Sequence, residues 1–368
     1  MKRTILFLLA SAFALPASAQ QPQIQNGKVE VRKDTAIDRA IAGVPAGGPD
    51  QAAWVAWKVP MIDGDRDLCS WYSDRSGTVR GTYLDQGVVT VVSDTLVSNP
   101  RPQIAAPTGP VPLEGGTNLV VLARVIQGKV ERLRMIGDDC PLDAGGRTVY
   151  WLDSVTSAES LRYLTTLVRA GGSDRAPFDQ EPSHAQNALR AISYHRDAAA
   201  DAALEQFATD ARDANLRRQA TSYLGSMRGA RGAATLAKFL ASEKDLDARR
   251  HLVASLGQSR DAGAVETLRG LLRDPEVRVR SEAAYYYIVR GGAAVLPEAQ
   301  KLLASETVDS VRTRIVSAIG RLPADTSIPA LLQLARSDNA VIRKQATTAL
   351  SQSKDPRAVA FMEAILKR

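Results

Sequence analysis

The sequence predicts an α+β chain: an N-terminal β-rich domain followed by an all-α helix-pair solenoid of about six repeats. The first observation is a pattern recurring every 31 or 32 residues, anchored at His184, Leu216, Ala248, Val279, Val311 and Ile342. A fixed period of this length marks units that cannot bury their apolar faces alone and cover them with neighbours. The second is helical spacing of apolar residues inside each unit. The third is a set of short β-branched and aromatic runs, separated by glycine and proline turns, in the first half of the chain.

Each unit reads as two helices. Apolar side chains stand at the anchor and four and eight residues beyond it, as in Val279, Ala283 and Tyr287 or Val311, Ile315 and Ile319. At 3.6 residues per turn these share one face. A second helical run follows at Ala233–Leu240, Ala262–Leu272, Ala293–Leu303, Ser327–Ala335 and Arg357–Leu366. Gly225, Gly257 and Gly320 suit a left-handed helix-closing position, and Pro275, Pro297, Pro329 and Pro356 suit helix starts.

One place past the anchor, five consecutive units carry an arginine: Arg217, Arg249, Arg280, Arg312 and Arg343. Asp213, Asp245, Asp274, Asp309 and Asp338 lie two to five residues before the anchors, so carboxylates that fit a guanidinium fork are at hand. An inter-repeat structural role is the expectation for this row; an anion-binding stripe is the competing one. The next two positions should face solvent more, which makes Arg218, Arg250, Arg314 and Lys344 the candidates for partner binding, with solvated polar faces as the alternative. Tyr285 is a candidate interface anchor, Tyr287 a core residue, and simple packing is the other reading of Tyr285, Tyr286 and Tyr287.

The segments LRRQATSYLG, ARRHLVASLGQSRDAGAVETLRGLLRD and VRTRIVSAIG resemble HEAT repeats, in particular the short HEAT-like repeat first named for phycobiliprotein lyases. The resemblance covers about residues 184–368 and implies an armadillo-like superhelix that binds proteins; in such units the ladder arginine commonly bonds an acid or carbonyl of the adjoining turn. Bilin-lyase action is not expected, since nothing in the chain points to that setting.

Residues 1–19 read as a secretory signal peptide: Lys2 and Arg3, an apolar run from Ile5 to Leu15, then Ala17-Ser18-Ala19 as the cleavage site. No later stretch is apolar enough to span a bilayer. The expected location is therefore periplasmic or secreted. The 47 basic and 40 acidic side chains give a net +7, small for 368 residues. Outside the inner membrane such a field favours acidic proteins, anionic glycans or lipid headgroups over nucleic acid.

Residues 20–36 are expected to be flexible and 37–175 to form the β-rich domain, with the solenoid over 176–368. Strand-like runs are Trp54–Val59, Thr78–Leu84, Val88–Val92, Leu119–Ile126, Lys129–Ile136 and Thr148–Leu152. Gln127-Gly128 reads as a two-residue hairpin turn, the proline-rich 99–112 as a loop, and Ser157–Ala170 as a helix capped by Ser157. DLCSWY and DCPLDAGGRTVYWL make this part similar to leader regions preceding HEAT-like repeats in other exported bacterial proteins. The two cysteines, Cys69 and Cys140, point to one disulfide in an oxidising compartment; a redox pair or metal ligands are the alternatives, without a C-x-x-C spacing or a nearby histidine to favour them.

The three histidines, His184, His195 and His251, all lie in the repeats, so no Ser-His-Asp, Cys-His or H-E-x-x-H arrangement exists within the β-rich domain. Asp63, Asp65, Asp67 and Asp74 occupy calcium-loop positions, but Leu68 stands where the sharp turn needs glycine. A solvated acidic turn is the expected reading, with Asp138 and Asp139 as a second acidic spot. No catalytic residue, metal or cofactor is assigned. The function expected is an exported non-catalytic interaction scaffold binding a protein on the concave solenoid face; the alternative is a hydrolase or enzyme accessory with its site in the N-terminal domain.

Overall fold

The computed structural model describes residues 22–46, 51–64, 67–74, 77–84, 115–171, 183–210 and 213–367. The leader at 1–19, the strand-like run Val88–Val92, the proline-rich stretch 99–112 and Asp65 lie outside them. Two compact units emerge, one within Met1–Tyr163 and Pro177–Asn187, the other within Leu164–Ala176 and Ala188–Arg368.

The first unit is built on a five-stranded mixed sheet. Strands β1 (Ile24–Gln25), β2 (Lys28–Arg32), β3 (Ala53–Pro60), β4 (Trp71–Asp74), β5 (Gly77–Arg80), β6 (Thr82–Tyr83), β7 (Asn118–Ile126), β8 (Lys129–Gly137), β9 (Leu142–Asp143) and β10 (Thr148–Leu152) follow in chain order, with helix α1 (Ile37–Ala42) between β2 and β3. The main sheet runs β2-β10-β3-β7-β8; β10 is parallel to both β2 and β3, and β7 is antiparallel to β3 and β8. β1, β9 and β6 form a small parallel sheet, and β4 pairs β5.

The segment read as flexible at 20–36 therefore contributes two strands. Its alternation Lys28-Val29-Glu30-Val31-Arg32 is an edge-strand pattern, too short to stand out by sequence; its register on β10, Val29 opposite Val149 and Val31 opposite Trp151, is what fixes it. The hairpin turn stands where expected, with Gln127 and Gly128 at φ 50° and 69°, the pair of positive values a primed two-residue turn requires.

β3 is buried on both faces, which is why Ala53-Trp54-Val55-Ala56-Trp57 reads as a continuous apolar run instead of alternating. Trp54, Ala56, Val120, Leu122, Val149 and Trp151 form one core with Leu84, Ile136, Leu142 and Cys140. Trp57, on the opposite face, donates its indole N–H to Ser160 Oγ at 2.8 Å and meets the Tyr163 ring edge-on at 5.9 Å. Both partners lie on helix α2 (Ser157–Gly171). Its N-terminal hydroxyl acceptor is Thr156, which takes the Glu159 amide at 3.2 Å, one residue before the expected cap Ser157.

Cys69 and Cys140 are joined in a disulfide. It ties together the two acidic spots read separately from the sequence. Arg80, buried to 4% exposure, sits between them: it donates to Asp67 at 2.9 Å, to the Asp139 carbonyl at 3.1 Å and to the Asp139 carboxylate. A guanidinium thus supplies positive charge to Asp67 and Asp139. Among the described residues no group of three or more His, Cys, Asp or Glu is placed to hold a metal.

The second unit is a row of helix pairs: α3 (His184–Tyr194) and α4 (Ala199–Thr209), α5 (Ala214–Met227) and α6 (Gly229–Ser242), α7 (Leu246–Gln258) and α8 (Ala262–Gly270), α9 (Val277–Gly291) and α10 (Leu296–Ser305), α11 (Asp309–Ile319) and α12 (Ala324–Leu334), α13 (Ala340–Ser351) and α14 (Pro356–Leu366). A 3-10 turn, Gly292–Val295, precedes α10. The residues four and eight beyond each anchor, among them Ala220, Leu224, Leu252, Leu256, Ala283, Ile315, Ile319, Ala346 and Leu350, are all buried. Asp213, Asp245 and Asn339 cap the first helices α5, α7 and α13 by accepting backbone amides.

Gly225, Gly257 and Gly320 do not adopt the left-handed conformation expected of them; Gly320 has φ −64°. For the first two the reason is close approach. A Cβ at Gly225 would lie 2.0 Å from the Ser255 carbonyl oxygen, and one at Gly257 would lie 2.2 Å from the Tyr286 ring. Each glycine stands nine residues past its anchor, where the next unit's first helix crosses. Pro329 lies inside α12, because that helix starts at Ala324, earlier than the sequence suggested. Among the described residues no helix is long and apolar enough to cross a membrane.

Candidate partner-binding surface

The ladder arginines divide by what they touch. Arg249 donates to Asp274 at 2.6 Å and Arg280 to Glu306 at 2.9 Å, each acid standing in the turn before the next unit's first helix. Arg280 also holds the Asp274 carbonyl at 2.6 Å, Arg217 the Asp210 carbonyl at 2.9 Å and Arg343 the Ser337 carbonyl at 2.7 Å, all in the turn preceding their own helix. Arg312 pairs with Asp309 at 2.9 Å on its own helix. Burial pushes the Glu306 carboxyl upward, but the Arg280 hydrogen bond and the amides of Val308 and Thr307 outweigh it, leaving the group below its usual range.

The candidates one and two places further along differ among themselves. Arg218 and Lys344 are exposed, and Arg250, partly exposed, makes a 3.3 Å contact with Asp247 on its own helix. Arg314 is tied into the stack: its guanidinium lies 3.8 Å over the Tyr285 ring and contacts Glu282 at 3.2 Å, both on the preceding first helix. Tyr285 is half-buried beneath that cation and edge-on to Tyr286 at 5.2 Å, so it is a packed side chain more than a protruding anchor. Third-position residues recur as links backward: His251 meets the Arg218 carbonyl at 3.0 Å and Gln345 donates to Ser317 at 3.0 Å. The second-position residues are left facing out.

A second fastening row was missed by sequence reasoning. Arg228, with no exposed side-chain surface, donates to the carbonyls of Ser193, His195 and Asp197 and pairs with Asp201. Arg290 donates to the Gly257 carbonyl, and Arg357 reaches Ala324 and Asp325 at 3.4 Å. Each joins its unit to the preceding one. They stand 11, 12 or 15 residues past their anchors, so no shared register betrays them.

Beside Arg228, the His195 ring is fully buried, and burial first, then the Arg228 charge, lowers its pKa to about 4 from 6.5. The unfolded chain therefore takes up this proton first as pH falls through 6.5, and stability drops until about pH 4 is reached. The difference amounts to roughly 3 kcal/mol in total. Urea unfolding at pH 7 and pH 5 should show a loss of about 2 kcal/mol in the wild type and a clearly smaller one in His195→Gln. His251, lowered chiefly by burial, acts in the same window and leaves a residual slope in that variant.

Between the N-terminal ends of α5 and α7 lies a cleft of about 680 Å³. Its walls carry both signs of charge: Arg217 and Arg218 on one hand, Glu243, Asp245 and Asp247 on the other.

One family model matches within the repeat half of the chain. Residues 233–320 and 296–368 match the family model of HEAT repeats. These residues are similar to HEAT repeats. Solved structures similar to the chain include human deoxyhypusine hydroxylase in complex with glycerol, at 19% identity over 58% of this chain and 81% of that one, TM-score 0.30. YibA of Escherichia coli is similar at 19% identity over 49% and 72%, TM-score 0.33. The complex of CpcE and CpcF of phycocyanin lyase from Nostoc is similar at 19% identity over 56% and 81%, TM-score 0.30. At this level none bears on activity or partners. No protein of curated function matches.

Proposed function

We propose that this chain is an exported, non-catalytic scaffold whose HEAT-repeat unit binds a protein partner along the face of its first helices, without a cofactor. The observation that carries the reading is the separation of the two arginine rows. The ladder side chains and Arg228 are consumed by carbonyls and carboxylates of the stack, whereas Arg218, Arg250 and Lys344 point away from it. First helices α5, α7, α9, α11 and α13 each pack on the next along the whole row, and second helices do so less closely, at α4–α6, α6–α8 and α12–α14. The more tightly packed row lies on the inner side of a curved stack, which makes this the concave face. The Cys69–Cys140 bridge suits an oxidising compartment, periplasmic or secreted.

The test is capture from a periplasmic extract with the full chain as bait, wild type against Arg218→Glu plus Arg250→Glu. Both side chains are outward-facing, so the variant should fold normally and lose the partners that wild type retains. An unchanged set of partners overturns the reading.

A further inference from the structure

We propose, on the basis of the scaffold reading, that the cleft between α5 and α7 seats a peptide segment of the partner bearing one acidic and one basic side chain a few positions apart. The cleft lies where the fastening pattern is interrupted. At the two following junctions the ladder arginine reaches the acid five residues before the next anchor: Arg249 to Asp274 and Arg280 to Glu306. The equivalent acid at the α5–α7 junction is Glu243. Its carboxylate accepts the amides of Lys244 and Asp245, both at 2.8 Å, as Glu306 accepts those of Thr307 and Val308, but Arg217, which holds the Asp210 carbonyl, does not reach across to it as Arg280 reaches Glu306. With that bridge unmade, the walls stand apart and enclose about 680 Å³.

The lining states what fits. The floor is apolar and small, with Phe239, Leu252 and Ala248. Arg218 on the α5 wall offers a guanidinium to a carboxylate. Glu243 and Asp247 offer carboxylates to a lysine or arginine; Asp247 is exposed, and its contacts with Arg250 at 3.3 Å and Arg278 at 3.4 Å are weak surface pairs that a ligand can displace. A ligand of a single sign meets repulsion from one wall. A two-signed segment meets complementary charge on both.

The probe is a phage-displayed library of random short peptides, selected on the full wild-type chain. Selected peptides are then synthesised with a fluorophore and titrated. Ala214, exposed on the cleft rim, permits a blocking variant that leaves every charge in place: Ala214→Trp. Enriched peptides should carry Asp or Glu close to Lys or Arg. They should bind Ala214→Trp and Arg218→Gln about tenfold more weakly or worse, while urea midpoints show both variants folded. Absence of enrichment, enrichment of peptides of one sign, or equal binding to Ala214→Trp overturns the proposal. Extract partners lost on Arg218→Glu plus Arg250→Glu yet retained by Ala214→Trp leave the scaffold standing and remove the cleft.

Discussion

Replacing Cys69 and Cys140 together by serine should lower the stability of the N-terminal unit by about 4 kcal/mol. The bridge spans 71 residues of chain, so its removal returns a large loop to the unfolded ensemble. The loss is sharpened by position. Cys140 is fully buried in the sheet core beside Leu142 and Leu84, and the bridge holds Asp67 and Asp139 around the buried Arg80. Once the two segments part, that guanidinium loses carboxylate partners in a site water reaches poorly. Near-ultraviolet circular dichroism should report an early transition in the variant, because Trp54, Trp57 and Trp151 all lie in this unit, while the helical signal of the repeats melts as before. Coincident tryptophan transitions in wild type and variant contradict the account.

Arg228→Met should cost the repeat unit about 3–4 kcal/mol. The side chain is wholly buried and serves three carbonyls at and beyond the end of α3 together with Asp201. Those carbonyls form the negative end of a helix and its exit turn, where a cation is favourable and an unfilled space is not. Methionine restores most of the volume but none of the donors. Arg231→Met is the control: Arg231 pairs with the same Asp201 at 2.9 Å but is 58% exposed, and its loss should stay below about 1 kcal/mol. Equal costs for the two variants would mean that Asp201, and not the carbonyl cluster, is what Arg228 serves.

How far the sequence spoke depended on how locally each feature is encoded. The six anchors and their companions four and eight residues on were legible because a repeat prints its core several times over; Val311, Ile315 and Ile319 are buried for the same reason as Val279, Ala283 and Tyr287. The hairpin at Gln127-Gly128 was legible because two residues determine it. Gly225 and Gly257 were marked as special but assigned the wrong cause, since a close crossing with Ser255 or Tyr286 depends on a helix 30 residues away. Arg80 gave no sign at all: its partners, Asp67 and Asp139, are brought to it by the fold. Strand β2 was passed over because five residues at a sheet edge carry too weak an alternation. In the candidate surface, the exposed Arg218 and the ladder row were separable by counting. Counting could not show that Arg314 turns back onto Tyr285.

The central claim is that neighbouring arginines on the same helices do different work, those at the first position fastening the stack and those at the second facing a partner. The measurement that tests it most directly is the urea unfolding free energy of Arg280→Met beside that of Arg218→Glu plus Arg250→Glu. Arg280 bridges Glu306, whose carboxylate side chain is 5% exposed, so its loss should cost about 2 kcal/mol. The outward double variant should stay within about 0.5 kcal/mol of wild type. A double variant as unstable as Arg280→Met, or an Arg280→Met indistinguishable from wild type, would contradict that division.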